Sequence, residues 1–220
     1  MKTLALVHTV ASVIPMFQQL CDRIVPDVRT CHLVDESVLR DLIDRGELDP
    51  RIVRRVCDWI VRAEQGGADV VLVTCSSVSP CVDAAQPLVR VPVLKIDEPM
   101  AAKAVSRGGV IGVAATLPTT LSPTSELIRD CARRRKKRAR IRELLCPKAF
   151  DALQSGKTRE HDEIVSAGIA ALAKRVKTVV LAQASMARAA KELDLPKGVR
   201  VLTSPESGVR KAAQIVRRQP

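Results

Sequence analysis

The stretch VVLVTCSSVSP, residues 70–80, places a cysteine between an apolar strand and the start of a helix. Its first four residues, 70–73, are all branched and apolar, which predicts a strand covered on both faces, as in a parallel sheet. Ser79 is a suitable N-cap residue, and Pro80 suits the first helical position, where a missing N–H costs nothing. The stretch therefore predicts Cys75 at the carboxyl end of a strand, facing the start of a helix.

This place in the predicted fold favours chemistry at Cys75. Open α/β sheets bind ligands at the carboxyl ends of their strands, and a helix N-terminus stabilises a nearby thiolate. Ser76, Ser77 and Ser79 follow the cysteine and supply hydroxyl donors. A small, inert core residue is the commoner role of a buried cysteine, and that alternative stays open.

Strand and helix patterns alternate along the whole chain and predict an α/β protein with parallel sheets. Strands are predicted over residues 3–7, 29–33, 69–73, 91–96, 110–114, 138–144, 178–181 and 199–202. Helices are predicted over residues 13–24, 36–45, 50–65, 100–106, 124–135, 160–175, 185–193 and 204–217, with a further helix from Pro80.

Two segments of this series look alike. Residues 67–77 and 177–185 each lead from a helix through an apolar strand into a polar turn. The two strands end near Cys75 and Gln183, about half the chain apart. An internal duplication would give this pattern and place the ligand between two similar halves. Chance similarity of two buried strands is the alternative.

The chain carries a formal net charge of +12, much of it in the basic run over residues 133–142. Such a run can be a nucleic-acid patch, but cations at a helix end also complement the helix dipole. Arg138, Arg140 and Arg142 then alternate with apolar residues, as on the solvent face of an edge strand. Aromatic residues make up only 1% of the chain, too few for base stacking, so no specific nucleic-acid partner is expected.

The seven cysteines form no CxxC pair, and their number is odd. Met1 and Lys2 lead directly into the first predicted strand, so reduced thiols in a cytoplasmic protein are expected. No apolar run approaches the roughly 20 residues that span a bilayer, and no membrane association is expected. The three histidines have no zinc-ligand spacing, so no metal site is predicted.

Five segments together resemble the aspartate/glutamate racemase superfamily, which includes amino-acid and hydantoin racemases, maleate isomerases and arylmalonate decarboxylases. They are VLVTCSS (71–77), VPVLKIDEP (91–99), IGVAATLPT (111–119), VVLAQAS (179–185) and SPESGV (204–209). The resemblance implies two Rossmann-like parallel-sheet halves, related by a pseudo-two-fold axis, with the active site in the cleft between them. Residues 1–97 with 206–220 would form the half carrying Cys75, and residues 98–205 the half carrying Gln183.

The resemblance also implies a cofactor-independent racemase or isomerase of amino-acid metabolism that acts at the carbon α to a carboxylate. Racemases of this group place one cysteine on each side of the substrate carbon, and Cys75 matches the first. Ser76, Ser77, Thr116 and Thr119 match hydroxyl positions that bind the carboxylate or the enediolate. Such preorganised donors are needed because proton abstraction beside a carboxylate creates a second negative charge.

The chain departs from this pattern at the second cysteine, where it has Gln183. An amide cannot take a proton at neutral pH, which places a symmetrical two-thiol mechanism in doubt. His8 ends the first predicted strand and is the candidate second acid or base, with a structural hydrogen-bonding role as the alternative. Thr9 follows His8, and Ala184 and Ser185 follow Gln183; all three are assigned to substrate binding.

Glu98 matches an acidic position of the family and is expected to orient neighbouring groups, although a helix N-terminal acid is the plainer reading. Among the other reactive side chains, Cys81 is expected in the core and His161 on a solvated surface.

Three functions remain open at this stage. Racemisation or isomerisation is the first expectation. A decarboxylase or other lyase needs only one catalytic cysteine, and a non-catalytic carboxylate-binding protein needs none. A small carboxylate is the expected ligand, and a homodimer is an open alternative because relatives are often dimers. The sequence does not identify the substrate.

Overall fold

The chain forms two compact α/β units in a computed structural model that describes residues 1–190 and 193–219. Unit 1 comprises Met1–Asp97 and the C-terminal segment from Pro205, and unit 2 comprises Glu98–Ser204. The last helix therefore belongs to the same unit as the first strand.

The secondary structure follows the predicted alternation. The strands are β1 (Thr3–His8), β2 (Arg29–Val34), β3 (Val70–Val73), β4 (Val93–Lys95), β5 (Val110–Ala115), β6 (Arg140–Leu145), β7 (Thr178–Leu181) and β8 (Arg200–Leu202). The helices are α1 (Ile14–Ile24), α2 (Glu36–Arg45), α3 (Pro50–Gln65), α4 (Cys81–Ala85), α5 (Glu98–Arg107), α6 (Pro118–Arg134), α7 (Ala149–Gln154), α8 (Thr158–Ala173) and α9 (Ser204–Val216).

Each unit contains a four-stranded parallel sheet, and the two sheets have the same strand order. Unit 1 has the order β2-β1-β3-β4 and unit 2 the order β6-β5-β7-β8. The predicted α/β class with two parallel-sheet halves is confirmed. In each sheet the two central strands end side by side, so the residues that follow them lie at one carboxyl edge.

Two of the predicted helices differ most from the structure. Helix α6 starts at Pro118 rather than at residue 124 and contains Pro123. Pro118 occupies the favoured first helical position, whereas Pro123 lies inside the helix, where its missing N–H deprives the Thr119 carbonyl of its usual intrahelical donor. The helix predicted over residues 185–193 is instead a short 3₁₀ turn, Ala184–Ala187, followed by irregular chain. Residues 191 and 192 of that prediction lie outside the described part.

The core of unit 1 is built from aliphatic side chains, with Phe17 its largest fully buried member. Helix α9 packs on this core through Val209, Ala212 and Val216. The helix approaches the chain very closely at Gly208, where an added Cβ would lie 2.7 Å from the carbonyl oxygen of Ile96. Helix α9 thereby supports the segment that follows β4.

The basic run lies on the surface of unit 2. Residues 133–138 are all exposed, and Arg133 and Arg134 form ion pairs with Asp130 and Glu98. β6 is an edge strand, as the alternating arginines predicted. None of the described helices combines the length and the apolar character needed to cross a bilayer.

Candidate active site

The carboxyl edge of the unit 1 sheet carries Cys75 on a tight turn. Thr74 and Cys75 follow β3 directly, and residues 76–80 form turns that lead into α4. The N–H of Val78 donates to the carbonyl of Cys75 at 3.2 Å, and the N–H of Ser79 donates to that of Ser76 at 3.3 Å. Cys75 is partly exposed. It therefore lies at a strand end, as the sequence predicted, and the structure shows in addition that it is accessible to solvent.

The helix after this turn begins differently from the prediction. Helix α4 starts at Cys81, Pro80 occupies the cap position, and no side chain caps the helix. The predicted N-cap role of Ser79 is wrong because its hydroxyl donates instead to Oδ1 of Asp97 at 2.8 Å. A contact between residues 18 positions apart has no signal in the local sequence.

Asp97 is a buried acid beside the Cys75 turn. Its side chain is fully inaccessible, and burial raises the pKa of its carboxyl group. Hydrogen bonds from Ser79 and Ser76 oppose this rise in pKa. Its Oδ2 atom has no hydrogen-bond partner among the described residues. Sequence reasoning missed this residue because Glu98 beside it matched the family pattern.

Glu98 itself lies at the start of α5, with a side chain that is about half exposed. Its carboxylate pairs with Arg134 at the end of α6, at 2.7 Å. This contact belongs to the surface of unit 2. The plainer of the two sequence interpretations, a helix N-terminal acid, describes its position.

His8, at the end of β1, is buried in a chain of hydrogen bonds. Its Nδ1 lies 2.7 Å from Oγ1 of Thr74, and its Nε2 lies 2.8 Å from Nδ1 of His32. His32 Nε2 in turn lies 2.9 Å from Oε1 of Gln18. Burial, and secondarily His32, lower the pKa of His8 to about 4. Burial also lowers the pKa of His32.

One arrangement of protons satisfies this chain with both histidines neutral. Gln18 Nε2 donates to Asp22, so its Oε1 must accept from His32 Nε2–H. His32 Nδ1 then accepts from His8 Nε2–H, and His8 Nδ1 accepts from the Thr74 hydroxyl. In this arrangement the single Thr74 proton is not available to the Val7 carbonyl oxygen, which lies 2.9 Å from the same Oγ1. Both ring nitrogens of His8 are therefore occupied within unit 1. Direct proton transfer from His8 to a substrate would require one of these bonds to break, so the geometry favours a structural role.

Acidification is expected to destabilise unit 1 through His8. Between pH 6.5 and about 4 the unfolded chain binds a proton at His8 that the folded chain excludes, so stability is lost as pH falls through this range. The shift in pKa corresponds to about 3 kcal/mol at most. Urea unfolding of wild type and His8→Gln at pH 7.5 and pH 4.5 measures this loss. The variant should lose less stability on acidification, and an equal loss in both proteins would contradict the assignment.

The carboxyl edge of the unit 2 sheet carries Thr116 after β5 and Gln183 after β7. The Gln183 side chain accepts two hydrogen bonds at Oε1, from the Thr116 N–H at 2.6 Å and from the Thr116 hydroxyl at 3.0 Å. Because both are donors, the amide oxygen is fixed toward Thr116 and the NH₂ group points away from it. Gln183 is thus presented as a hydrogen-bond donor.

The remaining predicted residues of unit 2 lie near this edge. Thr119 is in the first turn of α6, and its buried Oγ1 has no partner among the described residues. Ala184 and Ser185 are partly buried in the 3₁₀ turn that follows Gln183. In unit 1, Ser76, Ser77 and Thr9 are buried at the sheet edge.

Apart from Cys31, the other cysteines and His161 are buried. Cys81 is buried, as predicted, and burial raises the pKa of its thiol to about 12. Cys31 is exposed on the edge strand β2, and the remaining cysteines are buried. The expectation for His161 was wrong: its side chain is fully buried in α8, where Nδ1 lies 2.8 Å from the Asp162 carboxylate.

These features define an α/β protein with two parallel sheets of equal strand order, each with polar side chains at its carboxyl edge. The chain belongs to the Asp/Glu/hydantoin racemase family, whose model matches residues 7–212. The family predicted from the sequence is confirmed. Among curated proteins, none is a significant sequence match.

Solved structures show the same fold at low sequence identity. Aspartate racemase from Picrophilus torridus is 16% identical with a TM-score of 0.71, covering 97% of this chain and 95% of that one. A glutamate racemase from Bacillus anthracis is 16% identical with a TM-score of 0.70, covering 98% and 82%. Unliganded arylmalonate decarboxylase is 14% identical with a TM-score of 0.56, covering 100% and 94%.

Proposed function

We propose that this protein is an enzyme that acts, without a cofactor, at the carbon α to a carboxylate, with the Cys75 thiol moving the proton. The observation that carries the proposal is the position of Cys75, a partly exposed cysteine directly after a central strand of a parallel sheet. Membership of a racemase family and similarity to glutamate and aspartate racemases support the reaction class.

In the proposed step the Cys75 thiolate removes the α-proton. The electron pair of the broken C–H bond moves into the adjacent carboxylate, which gives an enediolate and a neutral thiol. Returning a proton to the same carbon completes exchange or racemisation. The step therefore requires donors for the enediolate oxygens, each worth a few kcal/mol in the transition state.

The hydrogen-bond geometry divides the predicted polar residues into two groups. Ser76 acts on the buried Asp97 and Thr116 donates to Gln183, so we assign both residues positioning roles. Thr119 and the NH₂ group of Gln183 are assigned to the substrate carboxylate or the enediolate, and Ser77 keeps the role that the family pattern gives it. Thr119 suits this role because its buried hydroxyl has no partner among the described residues, which is costly until a ligand pairs with it.

A lyase of the same family is the second candidate, and Gln183 favours it. Racemisation needs a group on each face of the carbon that can take up and release a proton. Gln183 stands where racemases of the family have the second thiol, and its amide cannot do this at neutral pH. In a decarboxylation, loss of CO₂ leaves the electron pair on the α-carbon and the Cys75 thiol protonates one face. The resulting thiolate regains its proton from solvent. Similarity to arylmalonate decarboxylase is consistent with this alternative.

Proton NMR in D₂O identifies the reaction. Wild-type protein is incubated with each enantiomer of aspartate, glutamate and related 2-substituted acids, and with maleate, hydantoins and substituted malonates. Loss of an α-proton signal, with chiral analysis of the product, indicates exchange or racemisation, whereas a new product with one carboxylate fewer indicates a lyase. Carboxylate binding, seen as a thermal shift, without any reaction across the panel would overturn the enzyme proposal in favour of a binding protein.

A further inference from the structure

The buried carboxyl group of Asp97 is tied to the turn that carries Cys75. Asp97 lies just after β4, next to the central strand β3, and Cys75 lies just after β3. The Ser79 hydroxyl donates to Asp97 at 2.8 Å, and the Ser76 hydroxyl also lowers the pKa of the same carboxyl group. The turn is therefore held at Ser79 from inside unit 1.

Stability alone does not account for an acid at this place. A fully buried carboxyl group is costly unless it is paired, and an apolar residue of similar volume would avoid that cost. Lys95, the cation that acts on Asp97, is itself paired with Asp83 at 2.7 Å. One oxygen of Asp97 has no partner among the described residues. The carboxyl group thus serves chiefly to hold the Ser79 hydroxyl.

We propose that Asp97 is a positioning residue for the Cys75 turn. By accepting the hydrogen bond of the Ser79 hydroxyl inside unit 1, it fixes the backbone that follows Cys75 and hence the direction of the thiol. The part of this inference that concerns catalysis rests on the proposed function. The part that concerns the turn does not require a substrate.

The test compares Asp97→Asn with Asp97→Ala. Asparagine keeps a carbonyl oxygen for Ser79 in the same place, whereas alanine leaves the Ser79 hydroxyl without this acceptor. Backbone hydrogen exchange, followed by mass spectrometry on peptides spanning residues 74–82, reports the order of the turn. Asp58→Asn, an exposed acid on α3, is the matched control.

We expect exchange in the Cys75 turn to rise at least about tenfold in Asp97→Ala, with other unit 1 peptides changing little. Asp97→Asn and the control should resemble wild type. With the substrate that the NMR experiment in D₂O identifies, kcat of Asp97→Ala should fall about 10- to 100-fold, with a smaller change in KM. Asp97→Asn should keep most of the wild-type kcat. If Asp97→Ala does not fold, Ser79→Ala removes the same bond from the other side and should give the same pattern.

Three results would overturn the inference: unchanged hydrogen exchange in the turn of Asp97→Ala, a uniform rise of exchange across unit 1, or an equal loss of kcat in Asp97→Asn and Asp97→Ala. A looser turn with unchanged kcat would overturn its catalytic part. If wild type shows no reaction, the proposed function fails, whereas the exchange measurement still decides whether Asp97 orders the turn.

Discussion

Replacing Cys75 by alanine is expected to reduce turnover by about 10²- to 10⁴-fold, the usual contribution of a general acid or base. The thiol carries the proton in the proposed step, and Gln183 cannot replace it because an amide does not take up or release a proton near neutral pH. Stability should change by less than about 0.5 kcal/mol, since the side chain is partly exposed. Steady-state kinetics and thermal unfolding of the same preparation measure both effects.

Cys81→Ala is the matched control for this prediction. Cys81 lies six positions further on, is buried, and has its thiol pKa raised to about 12. The control should lose about 1 kcal/mol of stability and keep its turnover per folded molecule. The assignment of Cys75 would fail if both variants lost turnover equally, or if Cys75→Ala remained active.

Replacing Gly208 by alanine is expected to destabilise unit 1 by about 2 kcal/mol or more. The new methyl group would overlap Cδ1 of Ile96 and lie 2.7 Å from its carbonyl oxygen. Backbone cannot move aside as a side-chain end can, so α9 or the segment before Asp97 must shift. This cost exceeds the roughly 1 kcal/mol that alanine gains over glycine in a helix.

Urea unfolding of Gly208→Ala measures this cost, with Lys211→Ala, an exposed position on α9, as the control. Lys211→Ala should remain within about 0.5 kcal/mol of wild type. Ile96→Val removes Cδ1. Combined with Gly208→Ala in a double variant, it should recover part of the lost stability, because the two residues are in contact and their effects are coupled. A Gly208→Ala protein as stable as wild type would show that α9 does not pack so closely on Ile96.

The strand ends that carry the candidate residues could be predicted because their signals are local. Residues 70–73 form a continuous apolar run, and all four are buried in β3. The similar run before Gln183 predicted β7 in the same way. Parallel strands place their carboxyl ends at one edge, so the positions of Cys75 and Gln183 in their own units followed directly.

The partners of these residues could not be predicted because they depend on register and on distant contacts. His32 reaches His8 since Leu6 of β1 pairs with His32 of β2, which places the two histidines two positions apart along neighbouring strands. Nothing local in the sequence sets that register. Asp97 and Glu98 are adjacent acids, and only the packing after β4 decides which of them is buried.

The most direct test of the account is deuterium incorporation at the α-carbon, measured separately for the two enantiomers of the substrate in D₂O. We expect wild type to incorporate deuterium, Cys75→Ala to lose this activity and Cys81→Ala to keep it. If a single thiol serves one face of the carbon, incorporation should start from one enantiomer only. Incorporation that persists in Cys75→Ala would contradict the central claim that the Cys75 thiol moves the proton.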